Sequence, residues 1–480
     1  MTKYIKPLIV YTLVALLLVG CGTMQPATEE KLPTMPQTFG SSTDSATIAD
    51  IGWRTFFADT NLVRLIDVAV QNNPDVKTAL QRVVIAKANS KISNGALLPN
   101  VDAILSAGAD KYGDYTMNGV GNYDTNLSPN IDKDQHIPTN PTTDVFLGLR
   151  SAWEIDVWGK LKSKKKAAYA RYLASEKGRQ WVTTQLVAEV ANLYFALVAQ
   201  DDNLAVIQRN ILLQEKAFDI VQTQKEGGRA TELAVQQFNA QLLHTKGLAY
   251  EIKQTITVLE NGLNVLLARY PQPIARSISI VHQPLPLQLQ AGIPSGMLRR
   301  RADIQQAELE LLGTKANAEA ARKAFLPSIT ITPYLAVNAF NPSLLFSAGS
   351  LVYGALGSLT APVFNKYQLK TNFAIANAEQ ATALYGYQKT ILQGVSEVVT
   401  NLQALENYKN FYRLKEDEAR VLQNAATIAN ELYLNGAANY LEVITAQKGV
   451  LDAELEVNTG KKALFAASVD LYRSLGGGWQ

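Results

Sequence analysis

Two stretches of this 480-residue chain carry an apolar repeat seven residues long. In the first, one row reads Val190, Leu197, Leu204, Ile211 and Phe218, and the other reads Leu186, Leu193, Gln200, Ile207, Gln214 and Val221. Apolar positions recurring about every 3.5 residues mark helices that pack along one another. The pattern breaks at Glu226-Gly227-Gly228 and resumes from Phe238 to Leu266. No proline falls in 142–270 or in 363–480. A helix over about 160–226 is predicted, with a twin over about 367–434. At about 1.5 Å per residue, each is a rod of roughly 100 Å. Each rod is expected to turn back as a helical hairpin, over about 160–268 and about 367–475.

Between the rods the period changes to two. Ile329, Ile331, Leu335 and Val337 alternate with Thr330, Thr332, Tyr334 and Ala336, the signature of a strand with two different faces. Residues 324–365 contain no charge, but Pro333, Pro342, Gly349, Gly354 and Gly357 interrupt every candidate membrane helix there. Strand pairs are predicted within about 101–156 and about 328–362, the first pair joined by a long polar loop over 110–144. Trp153, Trp158, Tyr353 and Phe364 near the strand ends suit the aromatic girdles of a membrane barrel. Strands of about 9–11 residues can cross a bilayer. Four of them cannot close, since a small barrel needs about eight, and lipid does not tolerate an open edge. Three copies would supply twelve strands, so a shared barrel in a homo-oligomer is expected; a soluble β-sandwich is the competing reading.

The plan is written twice. The segment from Asp75 to Pro99 aligns without a gap with that from Asp303 to Pro327, at an offset of 228. Identities include Ala79/Ala307, Lys87/Lys315, Asn89/Asn317 and Leu98/Leu326. A second offset of 208 relates Gly228, Leu233 and Val235 to Gly436, Leu441 and Val443. Asp75 and Asp303 fall in first helical turns, where a carboxylate satisfies free N–H groups and the helix dipole.

The N-terminus reads as an address. A short basic stretch precedes an apolar run over 7–19, which ends in Leu18-Val19-Gly20-Cys21. That run suits a secretory signal and is short for a bilayer span. Cys21, the single cysteine of the chain, stands where a bacterial lipoprotein is cleaved and acylated. The sequence therefore divides into a signal (1–20), a lipidated tether (21–58), a first repeat (59–270), a linker (271–297) and a second repeat (298–480).

Composition excludes several classes. Hydrophobic residues make up 47% and charged residues 18%, which is not the balance of a disordered chain. The net charge of +3 does not call for a nucleic-acid partner. His136, His244 and His282 lack metal-ligand spacing, and no phosphate-cradling glycine motif occurs. Neither catalysis, a cofactor nor a bound metal is expected. The lysines at 160, 162 and 164–166 read as a solvated helix face, with contact to anionic lipid or polysaccharide as the sharper alternative.

Several motifs in one order resemble the TolC family of outer membrane factors. They are the Cys21 motif, Trp53-Arg54-Thr55-Phe56-Phe57, Asn72-Asn73-Pro74-Asp75 and Trp153-Glu154-Ile155-Asp156-Val157-Trp158-Gly159. Further on come Arg299-Arg300-Arg301-Ala302-Asp303, Phe325-Leu326-Pro327-Ser328 and the ending Leu475-Gly476-Gly477-Gly478-Trp479. Ala302 departs from the proline usual in the family, which touches helix initiation. The resemblance is strongest to the lipoprotein branch serving resistance-nodulation-division efflux systems. It implies a mainly α fold with a membrane β-barrel. Three chains would share twelve strands, four each, continued by a long α-helical coiled-coil barrel. It implies a passive outer membrane conduit, lipid-anchored and reaching into the periplasm of a Gram-negative cell. A periplasmic adaptor and an inner-membrane pump would be its partners. A type I secretion channel for proteins and an envelope-spanning scaffold are the alternatives.

Gly228 and Gly436 mark the hairpin tips, where glycine permits positive φ and close approach. The resemblance implies that these tips meet the adaptor. It also places Glu442 in a ring of acids that narrows the pore, with Thr445 where a second acid is usual. Tyr433 matches a tyrosine that holds the tip closed, while Ala438 replaces a basic locking residue. Three Glu442 carboxylates around one axis would repel one another and favour cations at the entrance. A solvated helix face is the plainer reading of Glu442.

Overall fold

The computed structural model describes residues 34–39, 46–277, 279–285, 290–362 and 366–479. The signal segment, Cys21 and Phe364 lie outside the described residues. After a helical turn at Trp53–Phe56 come α1 (Thr60–Asn72), α2 (Pro74–Gly95), β1 (Asn100–Asp110), α3 (Met117–Asn126) and β2 (Thr142–Ile155). The first helical hairpin follows as α4 (Lys160–Glu226) and α5 (Glu232–Leu266). Then come α6 (Pro294–Arg300), α7 (Ala302–Lys323), β3 (Ser328–Ala339), β4 (Leu351–Thr360), and the second hairpin, α8 (Lys366–Leu434) and α9 (Tyr440–Ser474). α7 repeats α2 at the offset of 228, and α9 repeats α5 at 208. The helix at Ala302 begins in register with its proline-started twin, so the missing proline does not move the helix start.

The described residues form two compact units. Each takes part of both repeats. The first comprises Ala86–Arg171 and Leu311–Ala383, and the second comprises Tyr172–Glu310, Leu384–Gln480 and the segment before Ala86.

The first unit is built on one antiparallel sheet in the order β1-β2-β3-β4. Its register sorts the side chains into two faces. Leu105 pairs with Leu147, Leu149 with Leu335, and Ile329 with Leu359, so the odd-numbered residues of all four strands share one face. Val101, Leu105, Leu149, Leu335, Leu351 and Leu359 stand exposed on that face. The other face carries Asp102 opposite Arg150, with Glu154, Thr330, Asn338 and Ser358. One apolar face and one polar face, with the apolar one uncovered, is the pattern of a membrane barrel wall and not of a soluble sandwich.

The loop after β1 holds a helix, α3, that the sequence did not announce. Its glycines and asparagines are weak helix formers. Local bonds compensate: Thr116 caps the start by accepting from Gly119 N, and the Asn126 side chain exchanges two 2.8 Å bonds with the Ile137 backbone.

In the second unit the predicted seams are inside. Val190, Leu197, Ile207, Val221, Phe238, Leu242 and Leu263 are all buried. Aromatic pairs join distant parts of the chain. Phe56 stacks on Tyr472 with ring centroids 4.1 Å apart, and Phe195 stacks on Phe465 at 4.5 Å. Such pairs contribute about 0.5–1.5 kcal/mol beyond the area they bury. Asp59 ties α1 to this core. One carboxylate oxygen caps the helix, and the other accepts from Tyr194 Oη at 2.5 Å and Ser277 Oγ at 2.6 Å. Burial, and then the bond to Asp59, push the Tyr194 phenol above its ordinary pKa, so it stays a donor.

Candidate functional site

The hairpin tips of the second unit carry four of the candidate residues. Both turns end their helix in the same way. Gly228 has φ +68° and Gly436 has φ +74°. At the first, Arg229 N donates to Gln224 O at 2.7 Å and Gly228 N to Lys225 O at 2.9 Å. At the second, Ala437 N donates to Leu432 O at 2.8 Å and Gly436 N to Tyr433 O at 3.0 Å. This is the paired bond pattern that closes a helix on a left-handed residue. A Cβ on either glycine would meet nothing within 4 Å, so backbone conformation, not space, selects glycine.

The return helices are capped in parallel positions. Thr231 accepts from Ala234 N, and Asn439 accepts from Leu441 N and Glu442 N. Asn439 Nδ2 also donates to Glu442 Oε1 at 3.0 Å. Glu442 is exposed. Its carboxylate therefore has a local capping partner. Thr445 is exposed on the same helix one turn later.

Tyr433 sits above this turn on α8. Its hydroxyl donates to Gln224 Oε1 at 2.6 Å. The bond links the ends of two helices of one chain. Beneath it, Val221, Ala234, Val235, Phe238 and Val443 form a small apolar core, against which Tyr433 and Tyr440 pack. Partial burial raises the Tyr433 pKa, which keeps the hydroxyl protonated and donating.

Sequence reasoning missed a second centre of order in this unit. Arg301 is 1% exposed. Its fork binds Asp303 through Nε at 3.0 Å and Nη2 at 2.6 Å, while Nη1 reaches Glu397 at 2.8 Å and the Ser474 carbonyl at 3.1 Å. The guanidinium carbon lies 5.4 Å from the centre of the Trp181 ring. Burial opposes its charge, but Asp303 and Glu397 more than offset that, so Arg301 holds its proton more tightly than usual. One side chain thus joins α7, α8, the end of α9 and, through Trp181, α4. The three arginines at 299–301 gave the signal, but nothing in the spacing said which of them turns inward. Asp303 is more than a helix-start acid, because it also binds Arg301, whereas in its twin Asp75 the cap is supplied by Asn73.

Among the described residues no group of histidines, cysteines and acids is placed to hold a metal ion.

The sequence matches the family described as "Outer membrane efflux protein" over residues 65–269 and 293–477. It is 28% identical over 469 residues to the probable outer membrane lipoprotein SilC of Salmonella typhimurium, covering 96% of this chain and 97% of that protein. It is 28% identical over 473 residues to the cation efflux system protein CusC of Escherichia coli O6:H1, covering 97% of this chain and 98% of that protein. Its fold is similar to the crystal structure of a membrane protein from Pseudomonas aeruginosa, with TM-score 0.83 and 27% identity over 93% of this chain and 97% of the other.

Proposed function

The chain belongs to the outer membrane efflux protein family, and from that premise we propose how its parts serve a passive conduit. It is an outer membrane channel subunit of a tripartite efflux pump. Its fold class is that of the family: mainly helical, with three chains sharing a twelve-stranded membrane barrel continued by an α-helical barrel.

The observation that carries the reading is the four-stranded sheet. It has one apolar face, one polar face, and two outer strands, β1 and β4, whose outer edges pair with no strand among the described residues. In lipid those edges need strands from neighbouring copies. The polar face then lines a water-filled lumen.

In this reading a periplasmic adaptor docks on the tips at Gly228 and Gly436, and an inner-membrane pump of the resistance-nodulation-division type drives transport. The subunit itself performs no chemistry. Glu442 lines the entrance, where three carboxylates favour cations. Tyr433, through Gln224, holds the entrance narrow. Cys21 carries the lipid anchor, and residues 59–270 and 298–480 are the two repeats either side of the 271–297 linker. The relatives' names span different cargos, and the cargo of this chain follows its pump.

Reconstitution of the purified protein into planar bilayers tests the reading. Discrete single-channel currents are expected. A protein that inserts and carries none is a scaffold, and the conduit reading fails.

A further inference from the structure

The strand register gathers four chain ends. Asn100 pairs with Ala152, Ile155 with Ile329, and Ser328 with Thr360, so all four strands meet their helices at one end of the sheet. Within the first unit, the segments leading into or out of that end are 86–95, 156–171, 311–323 and 361–383. They hold thirteen lysines and arginines and only three acids, Asp156, Glu319 and Glu379. This is a net +10, in a chain whose total is +3. At the opposite end of the sheet, residues 110–144 carry six aspartates against Lys111 and Lys133, and residues 340–350 carry no charge. The charge is segregated along the strands.

The densest part is the start of α4, with lysines at 160, 162, 164, 165 and 166. Helix physics alone disfavours them there. A helix start is the positive end of the dipole, and like charges four residues apart repel. Internal compensation is small. Asp156 is occupied in capping the helix, accepting from Leu161 N at 2.9 Å and Lys162 N at 2.7 Å. Lys160 reaches Glu154 at 2.6 Å. Glu319 pairs with Lys323 at 2.9 Å. Lys162, Lys164 and Lys165 are exposed and make no ion pair among the described residues. Beside them, the half-exposed Trp158 donates its indole N–H to the Pro327 carbonyl at 2.7 Å, which fixes an amphipathic ring just beyond the strand ends.

We propose that this basic collar binds the anionic phospholipid headgroups of the periplasm-facing leaflet of the outer membrane. The apolar sheet face ends where the lysines begin, so headgroup phosphates bound there set the depth of the barrel. Lysine near an anionic surface contributes about 1 kcal/mol, or about fivefold in binding, within roughly a Debye length. The proposal rests on the strands crossing that membrane.

The test is native mass spectrometry of the detergent-solubilised assembly with equimolar phosphatidylglycerol and phosphatidylcholine. Retention of phosphatidylglycerol should exceed that of phosphatidylcholine by about tenfold or more, and the excess should shrink as salt rises. The combined variant Lys162→Gln, Lys164→Gln and Lys165→Gln should lose most of this preference, while arginine at the same three positions should keep it. Equal retention of the two lipids by the unaltered assembly overturns the proposal alone. A preference insensitive to salt, or one unchanged in an intact glutamine variant, does the same. Loss of both lipids overturns it together with the membrane-spanning premise.

Discussion

Tyr433 donates a 2.6 Å hydrogen bond to Gln224 Oε1, and the same Gln224 closes its own helix by accepting from Arg229 N at 2.7 Å. One residue therefore ends a helix with its backbone and restrains the neighbouring helix with its side chain. Tyr433→Phe keeps the ring in the apolar core and removes only the hydroxyl. The partly buried bond contributes about 1 kcal/mol. The variant should show a larger time-averaged conductance in planar bilayers and faster amide exchange over 221–236. Traces identical to the unaltered channel would leave Tyr433 with a packing role only.

The role proposed for Glu442 in the pore can be separated by substitution from its capping bond. Glu442→Gln keeps an oxygen for Asn439 Nδ2 and removes the charge. Cation preference, read from reversal potentials in a salt gradient, should fall while stability is unchanged. Glu442→Ala should lower cation preference equally and also loosen the cap, by about 0.5–1 kcal/mol. Unaltered reversal potentials in both variants take Glu442 out of the pore.

The left-handed turns give a graded series. Gly436→Ala and Gly228→Ala should each cost about 1 kcal/mol, because alanine meets no neighbour there but must adopt positive φ. Gly436→Asn should cost less, since asparagine tolerates that region. Protease susceptibility of the tip should follow the order alanine, asparagine, glycine. An alanine variant as resistant as the parent is incompatible with the turn described.

Arg301 is a buried charge held by several partners at once. Removing it leaves Asp303 without its close counter-charge, and leaves Glu397 with the more distant Arg473 at 3.7 Å, in a partly buried setting. Arg301→Met should destabilise the chain by about 3–5 kcal/mol, visible as a lower thermal midpoint. Arg301→Lys should rescue little, because a point charge cannot bind Asp303 through two parallel bonds and reach Glu397 and Ser474 as well. Near-parental stability in either variant contradicts the role assigned.

Much of the fold was legible in the sequence because it is built from long periodic elements. Heptads such as Val190-Leu197-Leu204 extend over many turns, and no local choice overrides them. Ile329-Ile331 and Thr330-Thr332 alternate without a charge to blur the period. The duplication was legible because Pro99 and Pro327 hold equivalent strand entries. What escaped reading depends on single side chains meeting across the chain. Arg301 looked like any surface arginine, since its burial is set by Glu397 and Ser474, about 100 and 170 residues away. The Tyr433–Gln224 bond crosses two hairpins. Helix α3 forms from residues of poor helix propensity because caps and the Asn126–Ile137 exchange hold it.

The central claim is that one chain supplies a third of a closed barrel. Analytical ultracentrifugation of the detergent-solubilised protein, corrected for bound detergent, tests it most directly. The account predicts a single species of three chains. A stable monomer would contradict it, because β1 and β4 would then keep open edges in lipid.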